Sequence, residues 1–235
     1  MTEGEESMQR HFHEELNDLK AKLVRMGDMV EKSVYKAIVA FTSENDRMAE
    51  RIIRSDVAIN AMETEIEDLC LKLLALQQPM AGDLRFITAA MKINNDLERM
   101  GDHAVNIAGY AKKLNRAKSV KLMDHIPKMT KVTLSMVKDS LESFVLGDVQ
   151  KAVAVCRRDN EVDNLDDKLF QDVVFYLGGD RKSTASGMLL MLISKNLERI
   201  ADLSTNIAEE VIFIVEAENI KHGRGLKKWE DVRSK

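Results

Sequence analysis

Residues 95–108 read NDLERMGDHAVNIA, and residues 195–208 read KNLERIADLSTNIA. Leu97, Glu98, Arg99, Asp102, Asn106, Ile107 and Ala108 return unchanged at an offset of 100. A chain that writes one segment twice builds one structural unit twice. Upstream the copies continue with a slightly different spacing. Sliding residues 30–63 by 103 positions sets Phe41 on Phe144, Ala49 on Ala152, Asp56 on Asp159, Asn60 on Asp163 and Glu63 on Asp166. The change of offset falls between helical stretches, where loop length is cheap to vary.

Each copy carries three helical stripes. Leu16, Leu19, Leu23, Met26, Val30, Val34, Ile38 and Phe41 recur at helical spacing from about Glu14. SEND (Ser43–Asp46) breaks that pattern, and a second stripe runs through Ile52, Ile59, Ile66 and Leu73 until Pro79 and Gly82 stop it. A third begins near Asp83 and fades into AKKLNRAKSVK. Pro127 opens the second set, with a fourth helix through Phe144 broken at Gly147 and a fifth from about Asp148 to Leu177. After a loop at GGDRKSTASG, a sixth helix extends to about Asn219. A helix pair leaves its apolar stripe uncovered, whereas three helices cover it. The expected fold is therefore all-α: two tandem, sequence-related three-helix bundles over residues 1–120 and 121–220, followed by a basic mobile tail at 221–235.

Composition supports helices over sheets. Two prolines, 11 glycines and 5% aromatics in 235 residues are too few for a turn-rich β protein. A 45% hydrophobic and 31% charged chain has enough apolar residues for a core. The net charge of −4 gives no basis for nucleic-acid binding. The acidic start, MTEGEESMQRHFHEE, is not a signal peptide, and the longest apolar runs fall short of the ~20 residues that span a bilayer. A cytoplasmic protein is expected, peripheral at the inner face of the membrane only through partners, as a homodimer. Cys70 and Cys156 sit at apolar helical positions and read as buried free thiols.

Residues four apart share a helix face. Glu98, Asp102 and Asn106 form one polar stripe, and Glu198, Asp202 and Asn206 form its copy. Asp56 with Asn60, and Asp159 with Asp163, make similar pairs on the second helix of each bundle. Two ionised carboxylates at this spacing repel by ~0.2–0.5 kcal/mol, so something cationic should offset them. Arg99 and Arg199 follow each glutamate directly, but adjacent residues point about 100° apart on a helix and pair poorly. A metal ion is the other candidate. Hard oxygen ligands without matched His or Cys favour magnesium, calcium, manganese or ferric iron. The bland alternative is a solvated face, which a single such pair would ordinarily be.

The doubled LERxxD…NIA, together with Asp56-Val-Ala-Ile-Asn60, Glu63 and Pro79-Met-Ala-Gly-Asp83-Leu84-Arg85, resembles the PhoU family of phosphate-uptake regulators over nearly the whole chain. The resemblance implies multinuclear metal clusters, iron foremost, with manganese, magnesium or calcium as alternatives. It places the ligands at Asp56, Asn60, Glu98 and Asp102 and at Asp159, Asp163, Glu198 and Asp202, with Asn106, Asn206, Glu63 and Asp166 beside them. It also implies a non-enzymatic role: restraint of a phosphate ABC transporter and of the sensor histidine kinase of the phosphate regulon when phosphate is plentiful. The competing function is a carboxylate-bridged metalloenzyme, an oxidase or phosphatase.

The chain departs from a symmetric pattern in places. The second copy lacks Asp83-Leu-Arg85, Gly101 becomes Ala201, and Asn60 faces Asp163, so the two sites differ by one charge. His103 meets Leu203, which removes a duplicated histidine ligand. His11 and His13 read as part of a loose N-terminal end. Trp229 in the basic tail hints at a docking surface. No phosphate loop, nucleophile elbow or HExxH motif is present.

Overall fold

The computed structural model describes residues 3–77, 79–117, 124–176, 181–218 and 220. These form six helices with no strand among them: α1 (Glu3–Thr42), α2 (Asp46–Gln77), α3 (Ala81–Ala117), α4 (His125–Leu146), α5 (Val149–Tyr176) and α6 (Arg181–Glu216). The expected fold class is the observed one. The 120/121 boundary and the tail from 221 fall outside the described residues.

The two copies turn corners alike. Between α1 and α2, Glu44 takes the left-handed conformation (φ 51°), and the Asn45 side chain caps α2 by accepting the Met48 N–H at 3.0 Å. Between α4 and α5, at the same offset of 103, Gly147 takes φ 65° and Asp148 accepts the Lys151 N–H at 3.0 Å. The offset read from side chains is thus also an offset in backbone geometry.

Each bundle closes on its apolar stripe. Leu19, Leu23, Met26, Val30 and Val34 on α1 are fully buried, as are Ile66 and Leu73 on α2 and Ile93, Leu97, Met100 and Ile107 on α3. Leu190, Ile193, Leu197, Ile200 and Ile207 repeat the pattern on α6. The two cores are continuous. The most extensive helix pairing is between bundles, α3 on α6. His103 Nδ1 lies 2.9 Å from Asn196 Oδ1, and Lys92 Nζ lies 2.9 Å from Glu210 Oε1, which sets α3 and α6 antiparallel. Phe86 stacks on Phe144 with ring centroids 5.6 Å apart. On α1, Gly27 lets α4 come close, since a Cβ there would sit 2.3 Å from Leu141 Cδ1.

Several helix limits differ from the sequence expectation. α1 begins at Glu3, so His11 and His13 are helical; Phe12 between them is buried, and His11 lies 3.6 Å from Glu15. Pro127 lies inside the first turn of α4, where its missing N–H removes no helical bond. Gly82 likewise lies inside α3. α6 starts at Arg181, within the expected loop, so RKSTASG is helical. Cys70 and Cys156 are buried and free, and burial pushes each thiol up to about 12, which leaves them protonated at neutral pH.

Candidate metal centres

In the first bundle α2 supplies Asp56, Asn60 and Glu63, and α3 supplies Glu98 and Asp102. The helices approach closely here because α3 has a glycine. A Cβ on Gly101 would lie 3.1 Å from Ile59 Cδ1 and 3.5 Å from Asp56 Oδ1. Asn60 donates to Asp56 Oδ2 at 3.1 Å, while Asp56 Oδ1 is buried with no hydrogen-bond partner. Burial raises the pKa of Asp56, the Asn60 hydrogen bond opposes this, and Asp102 adds to the rise. Glu98 is raised by burial and then by Asp102, Glu63 and Asp56 in turn. The four carboxylates therefore act on one another across the two helices. One turn before Glu98, Asn94 is 3% exposed, donates to the Glu63 carbonyl at 2.9 Å and keeps a buried Oδ1 without a partner.

The second bundle repeats the frame on α5 and α6. Asp159 is pushed up to about 6 by burial and then by Asp163, Asp202 and Glu198. The Thr205 hydroxyl nearby works weakly the other way, although it makes no hydrogen bond of normal geometry. Asp163 is raised by burial and Asp202, against a smaller opposing effect of Lys195. Ser194, the counterpart of Asn94, donates to Asp166 Oδ1 at 2.6 Å. The corner is again tightly filled. Ala201 and Val162, both buried, stand where the first copy has Gly101 and Ile59, so a methyl gained on one helix matches a methylene lost on the other.

The frames differ in their cations. Arg199 Nη1 lies 3.0 Å from Asp202 Oδ2 and its Nε lies 3.7 Å from Glu198 Oε2, which corrects the expectation that this arginine cannot serve the stripe. The guanidinium reaches forward one turn to Asp202, its closer partner, while its Nε stays within ion-pair range of the adjacent Glu198. Lys195 Nζ lies 2.7 Å from Glu198 Oε1. In the first copy Arg99 turns back to Asp96 at 3.8 Å. Asn106 and Asn206 are exposed, and Asn206 lines an open groove of about 1020 Å³ with Asp159 and Asp202, walled on the other side by α3.

The donor chemistry suits a hard cation. Every acidic member offers oxygen, buried oxygens at Asp56 and Glu198 lack a hydrogen-bond partner, and the carboxylates repel one another, in the second bundle against the partial relief of Lys195 and Arg199. Among the described residues, no three His, Cys, Asp or Glu side chains converge closely enough to enclose an ion as they stand. Sequence reasoning missed Asn94, Ser194, Lys195 and the turn of Arg199. The first two carried a usable signal, a polar residue one turn before each glutamate on the buried side of Ile93–Leu97 and Ile193–Leu197.

The PhoU domain matches this chain twice, over residues 23–111 and 126–211. The chain belongs to the PhoU family. It is 38% identical over 210 residues to the phosphate-specific transport system accessory protein PhoU homolog of Clostridium acetobutylicum, covering 89% of this chain and 96% of that protein. A homolog of the same name from Aquifex aeolicus is 36% identical, over 92% of this chain and 98% of its own. The crystal structure of PhoU from Pseudomonas aeruginosa superposes with a TM-score of 0.86 at 32% identity, over 88% of this chain and all of that one. These PhoU relatives are named as accessory proteins, in keeping with a non-enzymatic role. No helix among the described residues is long and apolar enough to cross a membrane.

Proposed function

We propose that this chain regulates phosphate uptake and phosphate-regulon signalling, restraining a phosphate ABC transporter and its sensor histidine kinase when phosphate is plentiful. Each bundle holds a carboxylate-bound metal cluster, with iron the first candidate. The cross-helix carboxylate site, built twice in a PhoU chain, carries this reading.

A bound cation would be held by Asp56, Asn60, Glu98 and Asp102 in the first bundle and by Asp159, Asp163, Glu198 and Asp202 in the second, and would supply positive charge there. The protein does the rest. Gly101 and the Ala201–Val162 pair bring the helices together, Asn94 and Ser194 hold Glu63 and Asp166 in place, and the apolar rows behind keep each stripe facing outward. With its repulsion neutralised, α2 is fixed against α3, and α5 against α6. A defined helical face is then presented to the partner.

Elemental mass spectrometry of untagged protein tests this, beside a variant with Glu98, Asp102, Glu198 and Asp202 all changed to Ala. The wild type should carry more than one iron or manganese per chain and the variant none. At an ion concentration 100-fold above Kd, binding adds about 2.7 kcal/mol, or roughly 5–10 °C in Tm. Metal-free wild type after incubation, or unimpaired restraint of uptake by the variant, would remove the metal from the mechanism.

A further inference from the structure

We propose that the second bundle carries its own counter-ions, Lys195 and Arg199, and that these make its site the weaker of the two for a multivalent cation. The inference rests on the metal reading above and adds an order of filling, the first bundle before the second.

Two differences between the copies install these charges. Position 95 is Asn and its counterpart is Lys195, whose ammonium reaches Glu198 Oε1 at 2.7 Å. Position 96 is Asp and draws Arg99 back at 3.8 Å, which leaves it only a minor opposing effect on Glu98, whereas its counterpart Asn196 instead faces His103 across the bundle interface. Without an acid behind it, Arg199 swings forward onto Asp202 and Glu198. Arg99 and Arg199 are thus the same residue aimed in opposite directions by their neighbour. By carboxylate count the second site is the more acidic, with Asp163 where the first has Asn60. Counting the paired bases reverses that order. A cation entering the second site must displace an ammonium and a guanidinium, while at the first it meets carboxylates and the partnerless Asp56 Oδ1.

The competition is moderate in strength. Lys195 and Arg199 are about half exposed, and solvent screens such pairs, so losing one should shift cation affinity by about three- to tenfold.

Mn²⁺ titration of the full chain, with free ion followed by electron paramagnetic resonance, tests the order. Two classes of site should appear. E98Q/D102N should abolish the tight class and E198Q/D202N the weak one. K195N, which writes the first-bundle residue into the second, should tighten only the weak class by about three- to tenfold. K195N/N196D should tighten it further by drawing Arg199 back, and K195R should leave it where it was. Circular dichroism confirms that each variant is folded. Equal classes, a reversed order, or a weak class unmoved by both K195N and K195N/N196D would overturn the counter-ion inference while leaving the metal reading intact. No Mn²⁺ or iron bound to wild type would overturn both.

Discussion

The two carboxylate sites share a frame and differ in what neutralises it. Backbone features were held or compensated between the copies. Asn45 and Asp148 cap equivalent helices, and Gly101 with Ile59 is exchanged for Ala201 with Val162. Charge changed instead, at the exposed Asn95, which is Lys195 in the second copy, and at the buried Asp96, whose counterpart is Asn196. The difference follows from physics. A misfit methyl in a packed helix contact costs immediately, whereas a half-exposed charge such as Lys195 is screened and worth about 0–1 kcal/mol. Duplicated architecture therefore does not guarantee duplicated chemistry, and each half must be judged on its own electrostatics.

The largest effect bears on whether the halves are separate at all. Leu97 and Leu197 are fully buried counterparts on the two helices that pack together at the centre. Leu97→Ala and Leu197→Ala should each cost about 2–5 kcal/mol. Because the core is continuous, each should shift one common urea transition, seen alike by circular dichroism and by Cys156 thiol exposure. A second transition in either variant would show the bundles unfolding separately and break the picture of one core.

The sequence made the helices, the duplication and the cross-helix carboxylates legible, because 3.6-residue periodicity and repeated spacing are local properties. It did not disclose that α3 and α6 would form the principal contact. The residues that join them, Lys92 to Glu210 and His103 to Asn196, lie in one register only after both bundles are folded. The α6 start was hidden because Ser183, Thr184, Ser186 and Gly187 read as loop by composition, although Ser186 is fully buried. The direction of Arg199 was hidden because it depends on which acid stands three residues away on either side.

Protonation compares the sites next. The ionised form of Asp159 is disfavoured in the fold, with its pKa pushed up to about 6. A carboxylate raised above its unfolded value destabilises the metal-free protein fully above pH 6, and that penalty fades as pH falls towards 4. Asp56 and Glu98 are raised as well and contribute with the same sign. Metal-free protein should therefore melt higher at pH 5 than at pH 7.5. Asp159→Asn should raise Tm by about 2–4 °C at pH 7.5, after discount for its partial exposure, and by little at pH 4.5. With saturating Mn²⁺ the sign should reverse at pH 7.5, because the variant forfeits a ligand. A Tm change that ignores pH would place Asp159 outside the carboxylate field.

The smallest effect sharpens the comparison at the turns. Glu44 and Gly147 occupy equivalent left-handed positions, at φ 51° and 65°. An L residue there brings its Cβ close to the following carbonyl, at a cost of roughly 1–2 kcal/mol that glycine escapes. Glycine in turn has more freedom to lose on folding, which returns part of the gain. Glu44→Gly should thus stabilise the first bundle by about 0.5–1 kcal/mol, and Gly147→Ala should destabilise the second by a similar amount. The Cβ added at 147 has room, since the nearest side-chain atom, Val215 Cγ2, would be 3.6 Å away, so backbone strain alone sets the sign. Urea midpoints of the two variants measure both. Opposite shifts of matching size would mean that the two turns impose one geometry and that the first copy merely tolerates its glutamate. A loss on Glu44→Gly would mean that this side chain holds the α1–α2 corner in a way the second copy has given up.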